Sequence, residues 1–241
     1  TFSRSRLYVF DKSQLFQPLP VGNILNTNVL RTVIEDFTVS SSVPAVTYDS
    51  TPGQMFLMAN GVGNDGFGNG NLRLFRLTES TNLFSLTEVA QPVSNQAWSD
   101  VPNTGTADFL PQLDSSALIA AGDSRVQNLV HRNGSLWCAQ TVFLPAGNGT
   151  RAAAQWWQIN PSGSVVQVGR MDDPTGVRSF AYPSIAVNRN ADVVVGYSSF
   201  SLNQYPSAGY SFRFATDPLN ALPIEETYKA GESPYLKIDP S

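Results

Sequence analysis

Cysteine and histidine are almost missing from this chain of 241 residues: there is one of each, Cys138 and His131. A single cysteine excludes an internal disulfide, so no covalent staple frames the fold. Tetrahedral zinc sites draw on several Cys and His side chains, and two such residues in all leave too few ligands. Lysine is scarce as well, with Lys12, Lys229 and Lys237 the only three among 15 cations. Against 19 Asp and Glu the net charge is −4, which offers no general positive field for a phosphate backbone. Nucleic acid is therefore not expected as a partner. No apolar run approaches the roughly 18 residues a membrane-spanning helix needs, so no membrane span is expected. Charged residues are only 14% of the chain, but 41% are hydrophobic and 11% aromatic, which is enough to build a core. Abundant Asn, Ser and Gly with few Lys suits a secreted, extracellular protein. The chain starts at Thr1 without an initiator Met or a signal peptide, so a processed or partial product is expected.

What is present is repetition. Residues 183–199 form an apolar run, a polar turn (Asn188-Arg-Asn-Ala-Asp192) and a second apolar run, the pattern of a β-hairpin. A shift of 57 lays Val130 on Val187, Arg132 on Arg189 and Asn133 on Asn190 without a gap, and a shift of 139 lays residues 44–60 on the same segment. Each hairpin is followed by a loop rich in Gly, Asn, Ser or Pro and a third strand, at 72–77, 153–159 and 210–215. Further strand candidates follow at 85–89 and 164–168. Roughly four strands per unit is the blade of a β-propeller. The expected architecture is thus all-β and propeller-like, one domain over 1–241, with repeat units at about 44–90, 125–170 and 183–217. Three units fall short of the four to eight blades of closed propellers, and no closing unit is visible, so the fold is expected to be incomplete as given. The segment 7–10 reads as a short strand supplied to a blade completed elsewhere. Helical signals are few. The best is 115–121, with Asp114 as N-cap and Gly122 as stop. The nominally helical spacing across 24–34 is contradicted by Asn26, Thr27, Asn28 and Thr32, which favour irregular strand.

The runs Gly122-Asp-Ser-Arg125-Val-Gln-Asn-Leu-Val-His-Arg132-Asn-Gly134-Ser-Leu-Trp137, Trp157-Gln-Ile, Tyr182-Pro-Ser-Ile-Ala-Val-Asn188 and Tyr205-Pro-Ser resemble a largely uncharacterised group of secreted bacterial β-propellers with sialidase-like folds. The match covers roughly residues 105–241. In that group the region continues into a segment rich in Arg, Trp, Gly, Asp and Tyr. The resemblance therefore implies a missing blade, or one supplied by a second polypeptide. The Ser-x-Asp-x-Gly-x-Thr-Trp turns of sialidases survive only as degenerate echoes, at 49–56 and at Asn133-Gly-Ser-Leu-Trp137. Enzymatic function does not follow from echoes.

Individual motifs add little. Gly61-Val-Gly63-Asn-Asp-Gly66 matches the dinucleotide fingerprint in letters, but Gly68, Gly70 and a strand follow instead of a helix, so it reads as a loop. The oxygen-rich set Asn60, Asn64, Asp65, Asn69 and Asn71 could cradle calcium, with Asp65, Asn69 and Asn71 as ligands; no other cofactor is implied. His131 reads as a turn residue rather than a triad member, and no catalytic residue can be assigned. Topology says more. Lead-ins to first strands and loops between second and third strands should emerge on one face. That face would gather Asp123, Arg125, Arg151, Arg178, Tyr182 and Tyr205 as ligand-binding residues. Arginines fork onto carboxylates, and tyrosines stack on sugar faces. For Asp123 the alternative is a pair with Arg125 that staples adjacent blades. The reading is an extracellular propeller that binds a polysaccharide or cell-surface ligand on its loop-rich face. Its rivals are a glycoside hydrolase or lyase of sialidase-like fold, and an assembly subunit pairing through open blade edges.

Overall fold

The computed structural model describes residues 6–15, 30–35, 41–50, 53–81 and 83–236. Strand β1 (Arg6–Phe10) is followed by a single helical turn, α1 (Lys12–Leu15), and pairs antiparallel with β2 (Leu30–Glu35). Strands β3 (Ser42–Pro44) and β4 (Val46–Thr47) are broken apart at Ala45. The first blade then runs through β5 (Gln54–Asn60), β6 (Gly70–Ser80) and β7 (Leu83–Ala90), in the order β3-β5-β6-β7. The short β8 (Val93–Ser94) adds to the start of β6. A hairpin of β9 (Asp108–Gln112) and β10 (Ser115–Ala120) precedes the second blade. That blade is β11 (Val126–Arg132), β12 (Ser135–Leu144), β13 (Arg151–Ile159) and β14 (Val165–Met171). The third is β15 (Ser179–Val187), β16 (Val193–Ser201), β17 (Gln204–Arg213) and β18 (Ile224–Lys229), paired in sequence order. The fold is all-β and propeller-like: three four-stranded antiparallel blades, two of them joined by β4, which leaves the first blade to pair in parallel with β11.

Blades stack face to face because successive side chains of a strand point to opposite faces. From β12, Leu136, Cys138 and Val142 face the first blade, where Phe56, Met58, Leu72 and Leu74 meet them together with Trp98 and Trp157. Trp137 and Ala139 face the third blade and pack with Trp156, Ile185, Val193 and Val195. All ten residues of β12 are consequently buried, so both of its faces are core faces and no polar-out alternation marks it. The repeat shift of 57 reappears as contact between equivalent positions: Asn128 donates to the Ile185 carbonyl at 2.9 Å and accepts the Ile185 amide at 3.1 Å.

Three expectations are revised. The strand at 7–10 does not complete a distant blade; Leu7, Val9 and Ile34 of the β1–β2 pair cover Leu57, Phe75 and Leu77 on the other face of the first blade. The segment 115–121, the best of the few helical signals, is β10. Asp114, with φ of 56°, sits in the turn that reverses β9 into β10 and caps no helix. Its Ile119 packs with Leu110 against Phe143 and Phe200, so tertiary burial decides a segment whose local preference is ambiguous. His131 lies within β11, 3% exposed, rather than in the turn beside it. Of the ambiguous stretch 24–34, residues 30–34 are strand, and the rest lies outside the described residues.

Candidate functional site

The seam between the first and second blades opens at one end into a cleft of about 600 Å³, lined by Asn60, Asn71, Arg73, Asp100, Asp123 and Arg125 among others. The loop 61–69 and the lead-in to β11 meet here, as blade topology requires. Gly63 and Gly70 clasp the buried Trp98 so closely that a Cβ on either would lie 2.7 Å from Nε1 or 2.2 Å from Cζ3 of its indole. Trp98 Nε1 donates to Asp100 Oδ1 at 3.1 Å, which sets the carboxylate at the cleft.

A chain of hydrogen bonds fixes the polarity of the next residues. The Asp100 carboxylate can only accept, so the buried Ser124 hydroxyl donates to its Oδ1 at 2.6 Å. Ser124 Oγ is then free to accept from Asn60 Nδ2, also at 2.6 Å. Asn60 is thereby held with its amide oxygen turned the other way, and that buried Oδ1 has no donor among the described residues. The two arginines of the cleft are matched already. Arg73 binds Glu88 through Nε at 3.1 Å and Nη2 at 2.5 Å, and Arg125 binds Asp123 through Nε at 2.7 Å and Nη2 at 2.5 Å. The Arg125 hydrogen bonds hold the Asp123 carboxyl below the usual range and raise the guanidinium in return; Arg73 does the same to Glu88.

The other residues expected at one mouth are brought to separate places. Arg178 binds Glu225 at 2.7 Å and shares a smaller cleft of about 260 Å³ on the third blade with Tyr205, whose hydroxyl donates to Asp114 Oδ2 at 2.6 Å. Tyr182, with φ of 56°, donates its hydroxyl to the Ala120 carbonyl and borders a third cavity. Arg151 forks onto Asp172 at 2.7 and 2.8 Å. For the two tyrosines the cause is the β9–β10 hairpin. It docks on the ends of the second and third blades through Leu110, Phe143, Ala152, Ala181 and Phe200, and Tyr182 and Tyr205 serve as its anchors. Asn60 was expected in the oxygen-rich set and at the start of the loop 60–71 on the loop-rich face, and Ser124 inside the Asp123-Ser-Arg125 lead-in, whereas Asp100 carried no expectation. The signal for Asp100 was Trp98-Ser-Asp100.

The calcium set is committed to its own loop. Asp65 Oδ1 accepts the amides of Phe67 and Asn69 at 2.8 and 3.0 Å, and Oδ2 accepts Asn69 Nδ2 at 2.8 Å. Asn71 Oδ1 accepts the Val62 amide at 3.2 Å. The Asn69 side-chain hydrogen bond, foremost, lowers the Asp65 carboxyl. With one carboxylate in the set and both its oxygens engaged, the residues do not fit the six to eight oxygens calcium takes. Among the described residues no three His, Cys, Asp or Glu side chains converge for a metal ion, and no helix is long and apolar enough to cross a membrane.

No family model matches the chain, and no curated protein matches it. Among solved structures it is similar to the α-L-arabinanase of Penicillium chrysogenum in complex with arabinobiose, with a TM-score of 0.46 and 13% identity over 82% of this chain and 54% of that one. The chain thus spans about half the length of that structure.

Proposed function

We propose that the cleft between the first two blades binds an uncharged saccharide unit of a polysaccharide or cell-surface glycan. The observation that carries this is the Asn60 amide oxygen. It is buried, its orientation is dictated by Ser124 and Asp100, and among the described residues it lacks the donor that a ligand hydroxyl would supply. Around it the Asp100 carboxylate is a further acceptor for hydroxyls. Both guanidiniums are already neutralised by carboxylates, which disfavours an anionic sugar at this position. Binding is favoured over hydrolysis by the state of Asp123. A general acid needs a carboxyl raised by its surroundings, and Arg125 lowers this one.

The test is binding of the chain to immobilised neutral oligosaccharides, followed by titration of whichever binds. Asn60→Leu should weaken that binding about tenfold or more, the worth of a buried hydrogen bond with its desolvation. Affinity should hardly change between about 0.05 and 0.5 M salt, because no ion pair with the ligand is involved. Absence of binding to any neutral glycan, or an Asn60→Leu chain that binds as well as the wild type, would refute the reading.

A further inference from the structure

The opposite end of the same seam carries a second cavity, of about 530 Å³, with different chemistry. Among its lining residues are Asp49, Gln54, Phe56, Arg76, His131 and Ser162. The break at Ala45 produces it: β4 crosses to pair with β11, Val46 opposite Val130 and Thr47 opposite His131, and the chain beyond reaches over the β11–β12 turn. There Asp49 accepts the amides of Asn133 at 2.8 Å and Gly134 at 2.6 Å, so both its oxygens are used. His131 is 3% exposed and meets the Phe56 ring edge-on at 5.2 Å. Its buried Nδ1 has no partner among the described residues, and its Nε2 stands 3.8 Å from Asp49 Oδ2, beyond hydrogen-bonding distance. An imidazole so buried ordinarily satisfies at least one nitrogen.

Arg76 is the second anomaly. Arg73, Arg125, Arg151 and Arg178 each hold a carboxylate, whereas Arg76 makes no hydrogen bond or ion pair with a described residue and stands exposed at this cavity. A free guanidinium presents parallel N–H donors that match a carboxylate. A hydroxyl, which both donates and accepts, suits an imidazole whichever nitrogen carries the proton. We propose that this cavity is a binding site for a small hydroxy-carboxylate of the uronic acid class, its carboxylate on Arg76 and a hydroxyl on His131. The inference stands apart from the glycan cleft, since it shares no residue with it.

His131 is the only histidine of the chain, so its ring signals in a 13C,15N-labelled sample are unambiguous and report on the cavity alone. Titration with D-galacturonate should move them along a saturable curve. D-galactose, without the carboxylate, and acetate, without the hydroxyls, should each act about tenfold or more weakly. Arg76→Gln should weaken galacturonate by about the same factor while leaving the free spectrum folded, with Arg76→Lys intermediate because it keeps the charge and loses the fork. Asn60→Leu should leave the titration unchanged, which separates this site from the other end of the seam. The proposal is overturned if the imidazole does not respond to galacturonate, if acetate or galactose acts equally well, or if the Arg76 variants titrate like the wild type.

Discussion

Gln140 stands in the middle of β12 with no exposure to solvent, and neither its amide nitrogen nor its carbonyl oxygen has a hydrogen-bond partner among the described residues. It points toward the first blade, in the same row as Cys138 and Val142, with Val126 and Gln155 opposite on the neighbouring strands. Gln155 is spoken for at its oxygen, which accepts Arg170 Nε at 2.5 Å, but its Nε2 is also unpartnered. A buried polar group without a partner costs about 1–3 kcal/mol. Gln140→Met keeps nearly the same length and volume while removing both polar atoms, so packing changes little. Stability should rise by about 1–3 kcal/mol, and the melting temperature by roughly 2–10 °C for a chain of this size. Urea unfolding followed by tryptophan fluorescence reads this as a higher midpoint with an unchanged slope. A loss of more than about 1 kcal/mol would show that the amide is engaged, through a buried water or through Gln155, and would refute the reasoning.

Two further outcomes follow from local geometry. Asp49 has its carboxyl lowered chiefly by the Gly134 amide, against the opposing effect of burial, with the Asn133 amide and then the nearby His131 and Arg132 acting in the same direction as Gly134. A depressed carboxyl contributes stability above its unfolded value, near 3.8, and loses it as the pH falls through the folded value. With a side chain 25% exposed, the contribution is about 1 kcal/mol. Urea midpoints of the wild type should therefore exceed those of Asp49→Asn at neutral pH and converge with them as the pH falls below the lowered folded value; a constant gap across that range would show that charge is not the cause. Gly70→Ala would place its Cβ 2.2 Å from the Trp98 ring. The indole or the β6 backbone must shift at a cost of roughly 1–3 kcal/mol, measured by urea unfolding, and since Trp98 orients Asp100, glycan binding should weaken as well.

The blades were legible because their hairpins carry the signal locally. Asn133-Gly134, with φ of 54° and 68°, is a turn that any reading of letters finds, and the runs on either side are long enough to be strands. The shift of 57 is equally local, and the Asn128–Ile185 contact shows why it matters: equivalent residues face each other across adjacent blades. The site was less legible, because what decides it is pairing at long range. Arg178 finds Glu225 from 47 residues away, Arg151 finds Asp172, and Tyr205 finds Asp114 across 91 residues. None of these separations follows from a period. Asp123 and Arg125, two residues apart, form the pair that the sequence allowed as the alternative to ligand binding. The β9–β10 hairpin is the largest omission. Its second strand carries only a weak helical signal, so nothing local places it on the ends of the second and third blades, where it takes up the two tyrosines expected to stack on a sugar.

Both candidate sites fall on one seam for a physical reason. Between the second and third blades the inner strands are tied by polar rungs: Asn128 to Ile185, Arg132 to the Val187 carbonyl at 3.0 Å, and Asn133 to the carbonyls of Asn188 and Arg189. These bonds tie the two inner strands together at successive levels. Between the first and second blades the inner strand is broken at Ala45, and β4 spans only two residues of ladder before the chain turns away to Asp49. A seam held by a buried apolar middle and a short parallel ladder leaves polar side chains at both ends without strand neighbours to satisfy them. At one end Ser124 and Asp100 turn that shortage into a fixed acceptor on Asn60; at the other it leaves an imidazole and a guanidinium unmatched. The ends should therefore differ in their response to salt. Neutral ligands at Asn60 should be indifferent to ionic strength, whereas binding at Arg76 should weaken as salt screens the exposed guanidinium.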